Sequence, residues 1–255
     1  MNHEMLRLLF FVTVLSVALL LEFKLSYQKR NLQRKQRWPA NFFLIISASL
    51  FVSIFKSLGL FSVSDFGVLR FLHLPFTLEI IVSLILLDFF IYLQHVLIHK
   101  IPLFWRFHVI HHSDIDLDAS SALRFHPVEI LGSFFYKVLL ILIFGFKIEA
   151  LLLFEVILSS MTIFNHSNLY IPKHIEKALR LFIVTPQMHL IHHSTDRDES
   201  DTNYGFNLSC WDYFFKTYKA KMRDSSVVGQ KIFRSVKDNS FMSLLIRPFL
   251  RSQSE

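Results

Sequence analysis

Three short histidine clusters carry most of the chemistry this sequence can do. His95 and His99 form HxxxH, His108, His111 and His112 form HxxHH, and His189, His192 and His193 repeat HxxHH. On a helix, spacings of three and four place side chains on one face. Eight imidazoles exceed one tetrahedral site and fit two metal ions bound side by side, and neutral imidazole suits iron, zinc, copper and nickel. The bland reading, core or surface histidines without metal, serves for one HxxxH but not for three clusters. His3, His73 and His174 have no clustered partner and are read as bland. His166, in Asn165-His166-Ser167-Asn168, has no spacing signal but falls beside the expected site and is taken as a ninth ligand. His126 opens an apolar run and is read as supporting a ligand or the fold rather than binding metal.

Two acids are weighed with these histidines. Asp88 precedes His95 by seven residues and His99 by eleven, nearly one helical stripe. A carboxylate behind a ligating histidine fixes its tautomer and raises its basicity; an interhelical hydrogen bond explains Asp88 equally well. The run Asp196, Asp198, Glu199 and Asp201 reads as a solvated loop, with Asp196 backing a ligand as the lesser alternative.

The elements that must position these groups lie in a membrane. Of 255 residues, 53% are hydrophobic and 18% charged, and mean hydropathy is +0.42. That composition excludes a disordered chain and has too little polar surface for a soluble domain. The single cysteine, Cys210, excludes an intrachain disulfide. Met5 to Leu25 is of spanning length; with no small-x-small site after it, a retained anchor is preferred to a signal peptide. Glu22 to Arg37 then holds +5 of the +7 net charge, so this loop is expected in the cytoplasm. Asn41 to Val63 is a second span and Ser64 to Pro75 an outer loop. Phe76 to Gln94 is a third span, carrying Glu79 and Asp88, which are costly in lipid. Val128 to Phe144 and Ile148 to Phe164, joined by Gly145-Phe146-Lys147, are expected as a tight helical hairpin.

With the basic loop inside, residues 95–127 and 165–255 share one cytoplasmic lobe, and every histidine cluster falls there. The expected architecture is an all-α integral membrane protein of four to five transmembrane helices with a cytoplasmic, histidine-rich helical metal lobe. It divides into N-terminal helices and loop (1–75), a catalytic domain (76–220) and a tail (221–255). The lobe has no basic face for nucleic acid, and no Gly-rich phosphate loop or GxSxG elbow occurs.

Taken in order, the motifs resemble the signature of the fatty acid hydroxylase (sterol desaturase) superfamily. The resemblance rests on Asp88-Phe-Phe-Ile-Tyr92-Leu-Gln-His95-Val-Leu-Ile-His99, on Trp105-Arg106-Phe107-His108-Val-Ile-His111-His112-Ser113 and on Gln187-Met-His189-Leu-Ile-His192-His193-Ser194. Asn203-Tyr204-Gly205-Phe206-Asn207 with Trp211-Asp212 extends it. It implies a non-haem centre of two iron ions, for which zinc can substitute in a purified sample, and O2-dependent attack on a lipid C–H bond. The lipid would be a fatty acyl chain, a sterol or a related molecule. The ligand roles fall on His95, His99, His108, His111, His112, His189, His192 and His193, with His166 added. Tyr170 stands where some members carry a further histidine, which speaks against the acyl 2-hydroxylase branch. With no HPGG-type haem segment, electrons are expected from a separate cytochrome b5-like or ferredoxin-like protein. Phe125, Phe164, Tyr204 and Phe206 are the candidates for a substrate tunnel, chosen for adjacency to the histidines. The rival reading is a metal-ion binding or transport protein, although transporters place ligands near the bilayer midplane.

Overall fold

The computed structural model describes residues 3–57, 66–223, 225 and 227–250. Within them the chain forms twelve α-helices. These are α1 (His3–Lys24), α2 (Arg34–Ser57), α3 (Val68–Phe71), α4 (Phe76–Lys100), α5 (Pro102–His112), α6 (Pro127–Phe144), α7 (Ile148–His166), α8 (Lys173–Leu179), α9 (Pro186–His192), α10 (Arg197–Ser200), α11 (Cys210–Phe214) and α12 (Phe241–Ile246). Five of them, α1, α2, α4, α6 and α7, are long and apolar enough to cross a membrane. The end of the expected second span, residues 58–63, and the start of the expected outer loop lie outside the described residues.

The boundaries follow local chemistry. Pro102 forces Ile101 into an extended conformation (φ −96°, ψ 114°), which ends α4 and starts α5 at a new angle. The third span therefore runs on to Lys100, past the expected Gln94, and carries His95 and His99 within its last turns. His126 caps α6: the Val128 N–H donates to its Nδ1 at 3.2 Å, ahead of Pro127 in the first turn. Gly145 ends α6 in the left-handed region (φ 67°), where a Cβ would lie 2.5 Å from the Phe66 carbonyl oxygen.

The last two spans are not the tight hairpin expected. After the Gly145 turn they diverge, meeting through Lys137 and Glu155 and one shared cluster, while α6 packs chiefly on α2 and α7 on α1, the Ala119–Leu123 turn, α9 and α4. Leu87 and Ile91 of α4 join Leu140 and Ile141 of α6 and Leu151 and Phe154 of α7 in one buried cluster. Each span thus has another helix to bury its apolar stripe against.

The charged groups inside the spans are clamps. Glu79 accepts from Lys147 at 2.6 Å and faces Arg70 at 3.4 Å, tying α4 to the turn after α6. Glu155 of α7 holds Arg7 of α1 and Lys137 of α6, each at 2.5 Å. Much of the basic loop is also used internally. Arg30 and Arg34 approach the buried Glu22 at 3.3 and 3.5 Å, and Glu22 accepts the backbone N–H groups of Ala119 and Asn168.

Arg37 is wholly buried. Its guanidinium donates two bonds of 2.6 Å to Asp114 and one of 3.0 Å to Asp118, and also bonds the Asp116 carbonyl. The Asp114 carboxyl is drawn well below the usual carboxylate range; burial opposes this, but Arg37 and Arg124 outweigh it. This network fixes the loop between His112 and the 3-10 turn Ala119–Leu123. Removing one partner of a buried pair strands a charge, which costs about 3–5 kcal/mol. Arg37→Ala should therefore lower the thermal midpoint of the purified protein sharply, and Arg37→Lys, which lacks the two-pronged fork, should recover little of it. An unchanged midpoint in Arg37→Ala would contradict this role.

Candidate metal centre

Nine histidines from four helices and one helix end converge in the interior, and all nine are buried. His95 and His99 come from α4, His108, His111 and His112 from α5, His166 from the end of α7, and His189, His192 and His193 from α9 and its C-cap. They fall into two groups: His95, His99, His108, His112 and His192 in one, and His111, His166, His189 and His193 in the other. Within each group one ring nitrogen per residue lies within 4.8 Å of all the others. The groups abut, with His112 stacked on His193 at a centroid distance of 4.3 Å.

Hydrogen bonds at Nδ1 decide what the rings present to one another. His95 Nδ1–H donates to the Tyr204 carbonyl at 2.7 Å and His192 Nδ1–H to the Thr202 carbonyl at 2.8 Å. His166 Nδ1–H donates to the Thr162 carbonyl at 2.7 Å. A carbonyl only accepts, so each of these rings carries its proton on Nδ1 and a lone pair on Nε2. Yet His95 Nε2 and His192 Nε2 face each other at 3.1 Å. His108, whose Nδ1–H donates to the Glu129 carboxylate at 2.6 Å, turns its Nε2 to His95 at 3.3 Å. Lone pairs this close repel unless a cation lies among them.

Protonating His192 is no remedy, because burial opposes it. Burial pushes His192 down to about 3, its bond to Thr202 only partly compensating. Burial, and then the neighbouring histidines, hold His111, His112, His189 and His193 well below the usual imidazole value. A metal fits instead. With metal–nitrogen bonds of about 2.1 Å, neighbouring ligands on one ion lie roughly 3.0–3.4 Å apart, and the Nε2 separations here are 3.0 to 3.3 Å.

The remaining site expectations fall as follows. Asp88 does not back His95 or His99; it accepts from the Trp211 indole at 2.8 Å and the Leu208 N–H at 3.2 Å, tying α4 to the segment after Phe206. His126 is engaged by its cap and by donation to the Leu245 carbonyl at 3.1 Å, away from the cage. Asp196 caps α10 and pairs with Arg223, and it is Asp201 that accepts from His99 Nδ1–H, at 3.2 Å. The reason is helical: α10 turns Asp201 back towards α4, where Lys100 also holds it at 3.0 Å. Phe125 stacks on His111 at 4.2 Å. Tyr204 sits edge-on to His95, His99 and His192. Phe206 lies 4.8 Å from His95 and 6.4 Å from His189, spanning both groups. Phe164 offers its carbonyl to the Ser167 N–H at the end of α7.

Sequence reasoning missed Glu129 and Trp105. Glu129 carried a readable signal, an acid opening an otherwise apolar span, the same signal that drew attention to Asp88. Trp105 packs on His99 and His112 at 4.8 and 5.2 Å under the Arg197 guanidinium, and no spacing announced it. Residues 227–250 are pinned to the lobe: Gly229 N–H donates to the His193 carbonyl at 3.0 Å and Arg124 to Asn239 at 2.9 Å.

Two adjoining groups of buried imidazole, carried by two spanning-length helices and two short ones, define a class: membrane proteins with a polyhistidine cluster that could hold metal. Comparison with known proteins narrows it. The fatty acid hydroxylase family model matches residues 80–217, just over half of the chain, and the chain belongs to that family. It is 28% identical over 180 residues to the ornithine lipid hydroxylase of Rhizobium tropici, covering 69% of this chain and 52% of that protein. It is 30% identical over 139 residues to the alkylglycerol monooxygenase of Homo sapiens, covering 52% of this chain and 29% of that one. The alkylglycerol monooxygenase of Caenorhabditis elegans is 30% identical over 137 residues, covering 54% of this chain and 26% of that protein. The chain thus spans about half the length of the first relative and less than a third of the other two. No solved structure matches it.

The depressed histidines set a pH dependence. In the metal-free protein these rings stay neutral while folded, whereas the unfolded chain takes up protons below about pH 6.5. The unfolded state therefore binds more protons from about pH 6.5 down to about 3, where His192 titrates in the fold, and stability falls with pH across that window. The thermal midpoint of metal-free protein in micelles should drop steadily on acidification from about pH 7 to about pH 4. A midpoint that holds or rises would refute the neutral-cage description.

Proposed function

We propose that the chain is a membrane-bound di-iron oxygenase that uses O2 and external electrons to hydroxylate or desaturate a C–H bond of a lipid. The observation that carries this reading is the facing of lone pairs inside a buried, nine-histidine cage beside the ends of the membrane-length helices α4 and α7. His95, His99, His108, His112 and His192 would hold one ion, and His111, His166, His189 and His193 the other. Iron bound there supplies O2 activation and the oxidising power that an unactivated C–H bond requires. Zinc has no redox chemistry and would fill the cage without that activity.

The chain's own contribution is positioning and exclusion. A lipid tail offers no polar handle, so it must be held by apolar packing close to the reacting centre. A cavity of about 140 Å3 opens between α4 and α7, walled mainly by Leu84, Ile85, Phe154, Ile157 and Leu208, with Asp88 and Asn207 also on its lining. Phe206, two residues before Leu208 in the chain, packs in the same buried cluster as Leu87 and Phe154 and touches His95. A tail entering from the bilayer between α4 and α7 would meet the cage at Phe206. Phe125, stacked on His111, and Tyr204 close the remaining sides and keep water out. The electrons come from a separate cytochrome b5-like or ferredoxin-like protein. The lobe and the basic segment from Lys24 to Arg37 face the cytoplasm by the positive-inside rule.

Two experiments test this reading. Iron-loaded protein expressed in cells should yield a lipid that gains one oxygen or loses two hydrogens. His111→Ala and His192→Ala should abolish that product, since a misplacement of about 1 Å costs on the order of a hundredfold in rate, while His174→Ala should retain it. A product still formed by His111→Ala at normal expression would overturn the proposal. For the orientation, Ser26→Cys combined with Cys210→Ser should resist an impermeant maleimide added to intact cells and react after lysis. Labelling before lysis would place the lobe on the other side.

A further inference from the structure

The two histidine groups differ in what stands behind them. In the five-histidine group, four rings have an acceptor at Nδ1, and two of those acceptors are carboxylates: Glu129 on His108 at 2.6 Å and Asp201 on His99 at 3.2 Å. Backbone carbonyls serve His95 and His192. In the four-histidine group only His166 has such a partner, the Thr162 carbonyl. No protein acceptor reaches Nδ1 of His111, His189 or His193. The acids that follow His112 make no hydrogen bond to these rings, because Arg37 engages Asp114 and Asp118, and the Asn31 and Leu32 N–H groups engage Asp116.

We propose that the centre is electronically unequal: the five-histidine group, backed by Glu129 and Asp201, binds its ion first and tightly, and the four-histidine group holds the exchangeable ion. The inference rests on the metal-centre reading above and concerns Glu129 and Asp201 as positioning residues. A carboxylate accepting from Nδ1–H draws the proton towards itself and makes Nε2 a stronger donor to a metal. Such partners are worth 10–100-fold in metal affinity. The Glu129 side chain is only 7% exposed, so water screens its charge little, and that charge offsets part of the charge of the ion. One more ring adds to the same side of the balance. The group with fewer ligands and neutral backing leaves more of its ion's coordination sphere to other molecules, as catalytic metal sites require.

The test is a titration of the metal-free full-length protein in micelles with cobalt(II), followed by its absorption bands against a competing chelator. Two ions should bind in resolved steps separated by roughly 10–100-fold in affinity. Glu129→Gln keeps an oxygen to accept from His108 but removes the charge. It should weaken the first step by on the order of tenfold, shift that step's cobalt bands and leave the second step in place. Asp201→Asn, at the lobe's partly exposed edge, should act the same way, and the exposed Glu149→Gln should change neither step. If Glu129 and Asp201 merely hold the fold, both amide variants would leave the first step unaltered, and that result overturns the proposal. Equal affinities in the unmodified protein overturn it while sparing the di-metal reading, whereas uptake of fewer than two ions overturns both.

Discussion

The facing nitrogens of His95, His108 and His192 are the constraint on which the rest of this structure depends. Each of these rings gives its Nδ1 proton to an acceptor that cannot return one, or to a carboxylate, so each turns a bare lone pair inward. Without an ion this arrangement is repulsive, and at His192 burial closes off the usual escape of protonation. The apolar surroundings therefore make the cage unfavourable when empty and favourable when it holds a cation. The fold must keep nine rings in register against that repulsion, which requires rigid elements and a second layer of polar contacts.

That second layer explains where the charged residues of an otherwise apolar chain have gone. Glu22, Arg37, Asp114, Asp116 and Asp118 form one buried network that anchors α1 and α2 to the loop leaving His112. Arg124 ties the Ile110 carbonyl and Ser113 to Asn41 and Asn239, so the end of α5 is gripped from both flanks of the chain. Asp212 accepts from the N–H groups of Tyr204 and Gly205 at 2.8 and 2.9 Å, and this holds the Tyr204 carbonyl over His95. Glu79 and Glu155 do the corresponding work within the spans. Each of these charges is met by an ion pair or, for Arg124 and Asp212, by several neutral hydrogen bonds, as burial in low dielectric demands.

The parts legible in sequence were those written in local periodicity. Spacings of three and four put His108, His111 and His112 on one helix, and long apolar runs marked the five spans. Residues whose partners lie far along the chain were not legible. Asp88 and Asp201 are both acids near the clusters, yet Asp201 reaches His99 because α10 folds back onto the end of α4, while Asp88 meets Trp211 more than a hundred residues later. The divergence of α6 and α7 has the same origin. A short Gly145 turn implies neighbours, but the partners each helix found are α2, α1 and α4, and nothing local specifies them. His166 lies between these cases: its position beside the site was readable from topology, while its group depends on how α7 meets α9.

The region matched by the family, residues 80–217, contains all nine histidines but not everything that holds them. Glu22 and Arg37 come from before it, and Asn239 and the Leu245 carbonyl from after it. The segment from His112 to Pro127 contains four acids or bases that draw partners from those flanks: Asp114, Asp116, Asp118 and Arg124. The cluster around α7 divides along the same line: Leu87, Phe154 and Phe206 lie inside the matched region, while the helix covering α7 on its other side is α1, which lies outside it. The nine histidines therefore lie within the matched core, whereas part of what holds them rigid comes from helices outside that match.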